Sequence, residues 1–219
     1  MAGSTGVLLP PVGYLQRQRE ICDRYGILLI FDEVITAYDR LGRASASEYF
    51  GAKPDIITTA KGLTNGVIPM GAVIVDSKIY NSAMESADAP IELFLGYTYS
   101  AHPIAVAAAL ASLDTYREED LFARANGLAK RWEDAMHGLK GLPHVKDLRN
   151  LGLVGAIELE SRPGAPGTRA TEAMKEAWRQ GLMIRVTGDI IALSPPLIIT
   201  EAEIETLFSK LAHIFRGIT

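Results

Sequence analysis

Asp32 closes one apolar run, ILLIFDEV, and Lys61 closes another, DIITTAKGLTNG. A carboxylate at the tip of a strand this apolar calls for a positive partner, because an ionised acid left alone in an apolar setting is costly. A lysine amine can condense with an aldehyde, and it can carry a proton between reacting atoms. An acid and an amine on neighbouring strand tips could therefore grip opposite ends of one heteroaromatic ring. The acid would keep the ring nitrogen protonated, and the amine would hold the ring's aldehyde.

The surrounding pattern must bring those tips together. Ile27–Phe31 are all apolar, which predicts a strand covered on both faces. Residues 33–54 are long enough for a crossover connection, with Gly42 and Gly51 as breakers, and Asp55–Thr59 read as the next strand. Strand, crossover, strand predicts an α/β layer with these two strands parallel. Ala72–Val75 form a third strand whose direction stays open, since its connection is short. In open α/β sheets ligands gather beyond the carboxyl ends of strands, where both anchors fall. Pyridoxal phosphate (PLP) is the cofactor whose ring needs this acid and this amine. Val34 lies two residues beyond Asp32, so extended alternation would project it to the same side and onto the ring face. Gly62 would let the chain turn sharply after Lys61.

Tyr14–Tyr25 has helical periodicity that ends at Gly26, and a long helical region opens at Pro103 and resumes over Leu121–Leu139. VKDLRNLGLVGAIELE reads as two strands around a tight bend, with Gly152 and Gly155 allowing close backbone approach. A helix from about Arg169 to Gln180 follows, then short strands near 183–186 and 190–193. The last helix spans Glu201–Phe215, with Thr200 as its N-cap. The change of texture after the alanine-rich helix places a domain boundary near Arg117, giving domains over residues 1–116 and 117–219.

Composition excludes several function classes. A net charge of −4 over 219 residues, with no basic block, argues against nucleic acid as a partner. No run of ~18 apolar residues predicts a membrane span, and MAGSTGVLLPPVG has no basic leader that would make it a signal peptide. Cys22 is the single cysteine, so no intrachain disulfide can form; a cytoplasmic setting fits, and its apolar phase predicts a buried helix thiol. His102 reads as a helix-start residue, and His137, His144 and His213 lack metal-ligand spacing. Glu33 faces away from Asp32 in a strand and takes no role in this reading.

Four stretches in order resemble the class III (subgroup II) aminotransferases, which are fold-type I PLP enzymes: AGSTGVLLPPVGYLQRQREICDRYGILLIFDEV, PDIITTAKGLTNGVIPMGAV, GYTYSAHPIAVAAALA and IRVTGDIIALSPPLI. Ordered motifs over nearly the whole chain are far more specific than one short pattern. The wording is most similar to the ω-amino acid–pyruvate (β-alanine–pyruvate) transaminase branch. The resemblance implies an α/β fold: part of the large-domain sheet, followed by an α+β small C-terminal domain. It implies that Asp32 meets the pyridine nitrogen, Val34 packs on the ring and Lys61 is the Schiff-base lysine. It further implies that Thr98 bonds the cofactor phosphate of a neighbouring subunit in a homodimer or higher homo-oligomer, and that Arg185 grips substrate carboxylate. The implied reaction moves an amino group from an ω-amino acid or amine to pyruvate. The implied small-molecule partners are an amino donor and a keto-acid acceptor.

The resemblance also implies that the family's N-terminal half is absent, since members run to about twice this length. On that reading the chain is an incomplete version of the enzyme, expected to lack activity by itself. A non-catalytic remnant or half of a split protein remains open, as does a PLP decarboxylase or aminomutase sharing Asp32 and Lys61. The loop after Asp32 departs from the family's glycine-rich turn and reads TAYDRLGR, where Ala37 and Asp39 restrict angles that glycine would permit.

Overall fold

The computed structural model describes residues 1–85 and 96–218. The chain divides into two compact units, one of residues 11–38 and 43–120, the other of residues 1–10, 39–42 and 121–219.

In the first unit, α1 (Tyr14–Tyr25) ends where Gly26 adopts a left-handed conformation and returns its N–H to Cys22 O. β1 (Ile30–Asp32) then pairs in parallel with β2 (Ile56–Thr59), with Asp32 in register with Thr58. The short α2 (Ala46–Phe50) lies in the connection between them. β3 (Ala72–Val75) settles the open direction: it runs antiparallel to β2. α3 (Ser77–Glu85) follows, and α4 (Pro103–Glu118) closes the unit. Both α2 and α3 escape the sequence reading, because neither carries a long apolar stripe.

The continuous apolar run does not become a strand covered on both faces. Only Leu29 is buried; Ile27, Leu28 and Ile30 are more than half exposed, and so are Val73 and Ile74 on β3. An apolar run shows what a strand is able to bury, and this unit does not supply the layers to cover it. The same lack of cover leaves Cys22 half-buried, because α1 has no buried residue.

One electrostatic tie closes this sheet. Asp55 Oδ2 accepts a 2.7 Å bond from Leu29 N–H and a 2.7 Å ion pair from Arg19. The Leu29 N–H first, and the Arg19 guanidinium second, hold the Asp55 carboxyl below the usual carboxylate range. A pKa lowered by folding adds stability that is complete above the unfolded value, about 3.9, and is lost as pH falls through the folded value. Asp55→Asn should therefore cost about 1–2 kcal/mol at neutral pH and nothing in strong acid. Urea unfolding across pH 2–7 checks this; an equal loss at every pH would contradict it.

The second unit holds a four-stranded antiparallel sheet in the order β4-β5-β7-β6. Its strands are β4 (Val145–Leu151), β5 (Val154–Leu159), β6 (Arg185–Thr187) and β7 (Ile190–Leu193). Its helices are α5 (Leu121–His137), α6 (Thr168–Arg179) and α7 (Glu201–Gly217). α7 packs against both other helices, and Trp132, Met136, Ile157, Ile191, Phe208 and Phe215 fill the core. The bend between β4 and β5 works as its glycines suggest. A Cβ on Gly152 would meet Arg40 O at 2.4 Å, and one on Gly155 would meet Met136 Sδ at 2.6 Å. α7 starts from a capping box in which Thr200 Oγ1 accepts from Glu203 N–H and the Glu203 carboxylate accepts from Thr200 N–H. α4 runs unbroken past residues 116 and 117, and the contacts part only after Asp120, with residues 1–10 and 39–42 joining the later unit.

Candidate active site

Parallel pairing sends β1 and β2 out of the sheet at the same edge, on neighbouring strands about 4.8 Å apart. Asp32 is the last residue of β1, and Lys61 follows the end of β2 by two residues. Both side chains are exposed. Asp32 Oδ1 accepts a 3.1 Å bond from Val34 N–H, and its second oxygen has no protein partner among the described residues. Lys61 Nζ likewise has none.

The backbone around each anchor differs from an extended reading. β1 stops at Asp32, and Val34 lies in a turn that the Asp32 carboxylate itself organises. Strand alternation therefore does not set the direction of Val34, which is half-buried beside the acid. At the other anchor the sharp turn falls on Lys61, at φ 45, and not on Gly62. A lysine in the left-handed region costs roughly 1–2 kcal/mol, so neighbouring contacts must hold it there. Lys61 opens a 3-10 turn over Lys61–Leu63, and its carbonyl accepts from Thr64 N–H at 3.2 Å and from Asn65 N–H at 2.9 Å. The glycine after the lysine is required by crowding: a Cβ on Gly62 would meet Tyr38 Cβ at 2.8 Å and Tyr116 Oη at 3.3 Å.

Glu33 is the residue that sequence reasoning passed over. It is 1% exposed. Its carboxylate accepts from Thr36 Oγ1 at 3.2 Å, from Ser47 N–H at 2.9 Å and from Ala46 N–H, so it ties the β1 exit to the start of α2. The signal was a second acid directly after Asp32 at the end of an apolar run, with the serine-rich stretch ASAS downstream. The loop between them carries positive φ at Tyr38 (59) and Asp39 (84), where a glycine-rich turn would be unstrained.

Thr98 lies in an exposed turn just before α4, in the same unit as the two anchors, and its hydroxyl has no partner among the described residues. His102 serves the start of α4 through its carbonyl, which accepts from Val106 N–H at 3.0 Å, and makes no side-chain cap. Arg185 belongs to the other unit, as the first residue of β6, exposed and in register with Ala192. Its guanidinium pairs with no acid among the described residues, which leaves its planar fork open to a carboxylate.

These groups suit PLP. One unengaged carboxylate oxygen and one unengaged amine leave the same sheet edge, as a ring anchored at both ends requires. A metal site has no such support: no group of three His, Cys, Asp or Glu among the described residues could hold an ion. No helix among them is long and apolar enough to cross a membrane.

Comparison with known proteins agrees. The family Aminotransferase class-III matches residues 1–215. An omega-aminotransferase of Caulobacter vibrioides is 60% identical over 214 residues, which cover 98% of this chain and 49% of that protein. A beta-alanine–pyruvate aminotransferase of Pseudomonas aeruginosa is 49% identical over 220 residues, covering 100% of this chain and 49% of that protein. The chain thus spans about half the length of these curated relatives. Among solved structures, an (S)-enantioselective omega-transaminase from Thermomicrobium roseum superposes with a TM-score of 0.90 at 34% identity, covering 98% of this chain and 49% of that one. This chain, matched over residues 1–215, belongs to the class III aminotransferases.

Proposed function

We propose that this chain carries the lysine-bearing part of a PLP-dependent transaminase that moves an amino group from an ω-amino acid or amine to pyruvate. The observation that carries the reading is the pairing of β1 with β2, which sends Asp32 and Lys61 off one sheet edge. Bound PLP would supply an electron sink for the negative charge left when the amino donor loses a proton from the carbon that bears its amine. Lys61 would hold the cofactor through its amine and, once the donor's amine has displaced it, its freed Nζ would take the proton from the amine-bearing carbon and return it. Asp32 holds a proton on the ring nitrogen through its free carboxylate oxygen. Val34 packs on the ring face. Thr98 serves the phosphate of a neighbouring subunit in a homodimer, with the cytoplasm as its setting. Arg185 selects donors and acceptors that carry a carboxylate.

The exposed Ile30, Val73 and Ile74 favour a second reading, in which this chain acts only with a complementary polypeptide covering that sheet. Incubation with PLP, β-alanine and pyruvate, followed by measurement of alanine, separates the two. Alanine formed by the chain alone supports the first reading. Alanine only on addition of a relative's N-terminal half supports the second. None in either case contradicts both.

Arg185→Ala should lower kcat/KM for β-alanine by roughly 10–100-fold, the worth of a charged bidentate contact, and leave a simple amine donor within about 3-fold. Equal losses for both donors would remove its selective role.

A further inference from the structure

Lys61 is exposed and strained at the start of a turn whose Leu63 and Thr64 are buried, and something must fix where its side chain starts. α4 packs directly on that turn. Tyr116, near the end of α4, is 6% exposed, and its hydroxyl donates a 2.6 Å bond to the carbonyl of Gly62, the residue after Lys61. The same hydroxyl lies 3.0 Å from Asn65 Oδ1. Asn65 is the residue whose N–H closes the turn on Lys61 O, and its side-chain amide reaches Ser112 on α4 at 3.4 Å. The Tyr38 ring stacks on the Tyr116 ring at 6.1 Å and 11°. Tyr38 Oη also bonds Thr59 Oγ1, at the end of β2, at 3.2 Å. A Cβ on Gly62 would crowd both the Tyr38 side chain and the Tyr116 hydroxyl.

We infer that Tyr116 is a positioning residue for Lys61: its hydroxyl, backed by the Tyr38 ring, locks the Gly62 peptide and so fixes the strained Lys61 turn from which the amine reaches the cofactor. The inference rests on the proposed role of Lys61 and deepens it, since no role falls to either tyrosine in the reaction itself. The physical logic is that a strained turn persists only where its surroundings over-determine it. A buried tyrosine hydroxyl on the adjacent carbonyl is such a constraint.

Tyr116→Phe removes the hydroxyl and keeps the ring stack, and two readouts judge it in the full chain. Hydrogen exchange needs no cofactor. The Thr64 and Asn65 amides, which bond Lys61 O, should exchange about 5–10-fold faster in the variant, as expected for one lost hydrogen bond, with α1 and β2 amides unchanged. Unchanged exchange at the turn, or an equal rise throughout the unit, would overturn the inference. The second readout is the rate at which borohydride traps PLP on Lys61, which should fall about 5-fold or more. Trapping at the wild-type rate would overturn the inference while leaving Lys61 in its proposed role. If the wild-type chain traps no PLP even after addition of a relative's N-terminal half, the proposed function fails, and hydrogen exchange alone decides the role of Tyr116.

Discussion

Lys61→Ala abolishes covalent capture of PLP and lowers amino transfer to pyruvate by roughly 10³-fold or more. Two losses combine in that figure. The variant has no amine to hold the aldehyde, and no side chain to take the donor's proton and return it, a role that alone contributes about 10²–10⁴-fold. Stability should change little or improve. Lys61 Nζ has no partner among the described residues, and an alanine at φ 45 keeps a strain comparable to that of the lysine. The checks are borohydride trapping followed by peptide mass mapping, and transfer assays in the same preparation. A variant that still traps PLP at another lysine and keeps its turnover would dismiss Lys61 as the anchor.

Asp32→Asn gives the second large effect, and it is of another kind. Asparagine is nearly isosteric, and its Oδ1 can still accept from Val34 N–H, so the turn after β1 should survive. What disappears is the negative charge that keeps the ring nitrogen protonated. Covalent capture at Lys61 should therefore persist near the wild-type extent, while turnover falls about 10²–10³-fold, the usual loss when one preorganised electrostatic contact is removed. Capture and kcat measured side by side separate this outcome from general damage. Unchanged turnover would remove Asp32 from the chemistry; lost capture would show that it holds the local fold instead.

The placement of Asp32 and Lys61 at the ends of two parallel strands was legible in the sequence because each ends an apolar run, and run ends survive small errors in strand boundaries. The antiparallel β3 was not fixed, since a short connection permits either direction until hydrogen bonding with β2 decides. Burial of β1 was misjudged because apolarity records what a strand can bury, whereas cover depends on layers elsewhere, and Ile30 remains 56% exposed. The role of Glu33 depends on Ala46 and Ser47, thirteen and fourteen residues away, and no local period marks such a tie. The bracing of Lys61 was hidden for the same reason. Tyr116 lies fifty-four residues beyond Gly62 and reads, in sequence, as one more apolar position on a long helix. Gly62 itself was visible but for the wrong cause: the pattern suggested backbone freedom, and the packing shows crowding. Thr98 and Arg185 rest on motif wording, because an exposed hydroxyl and an exposed guanidinium carry no spatial signature of their own.

The central claim is that Asp32 and Lys61 hold one ring from its two ends. PLP labelled with ¹⁵N at the pyridine nitrogen and trapped by borohydride on the chain tests it most directly, since one NMR spectrum reads the nitrogen while mass mapping reads the attachment point. The label should map to Lys61, with the nitrogen signal of a protonated pyridine in wild type and that of an unprotonated one in Asp32→Asn. A label at any other lysine, or the same nitrogen signal in both proteins, would contradict the claim.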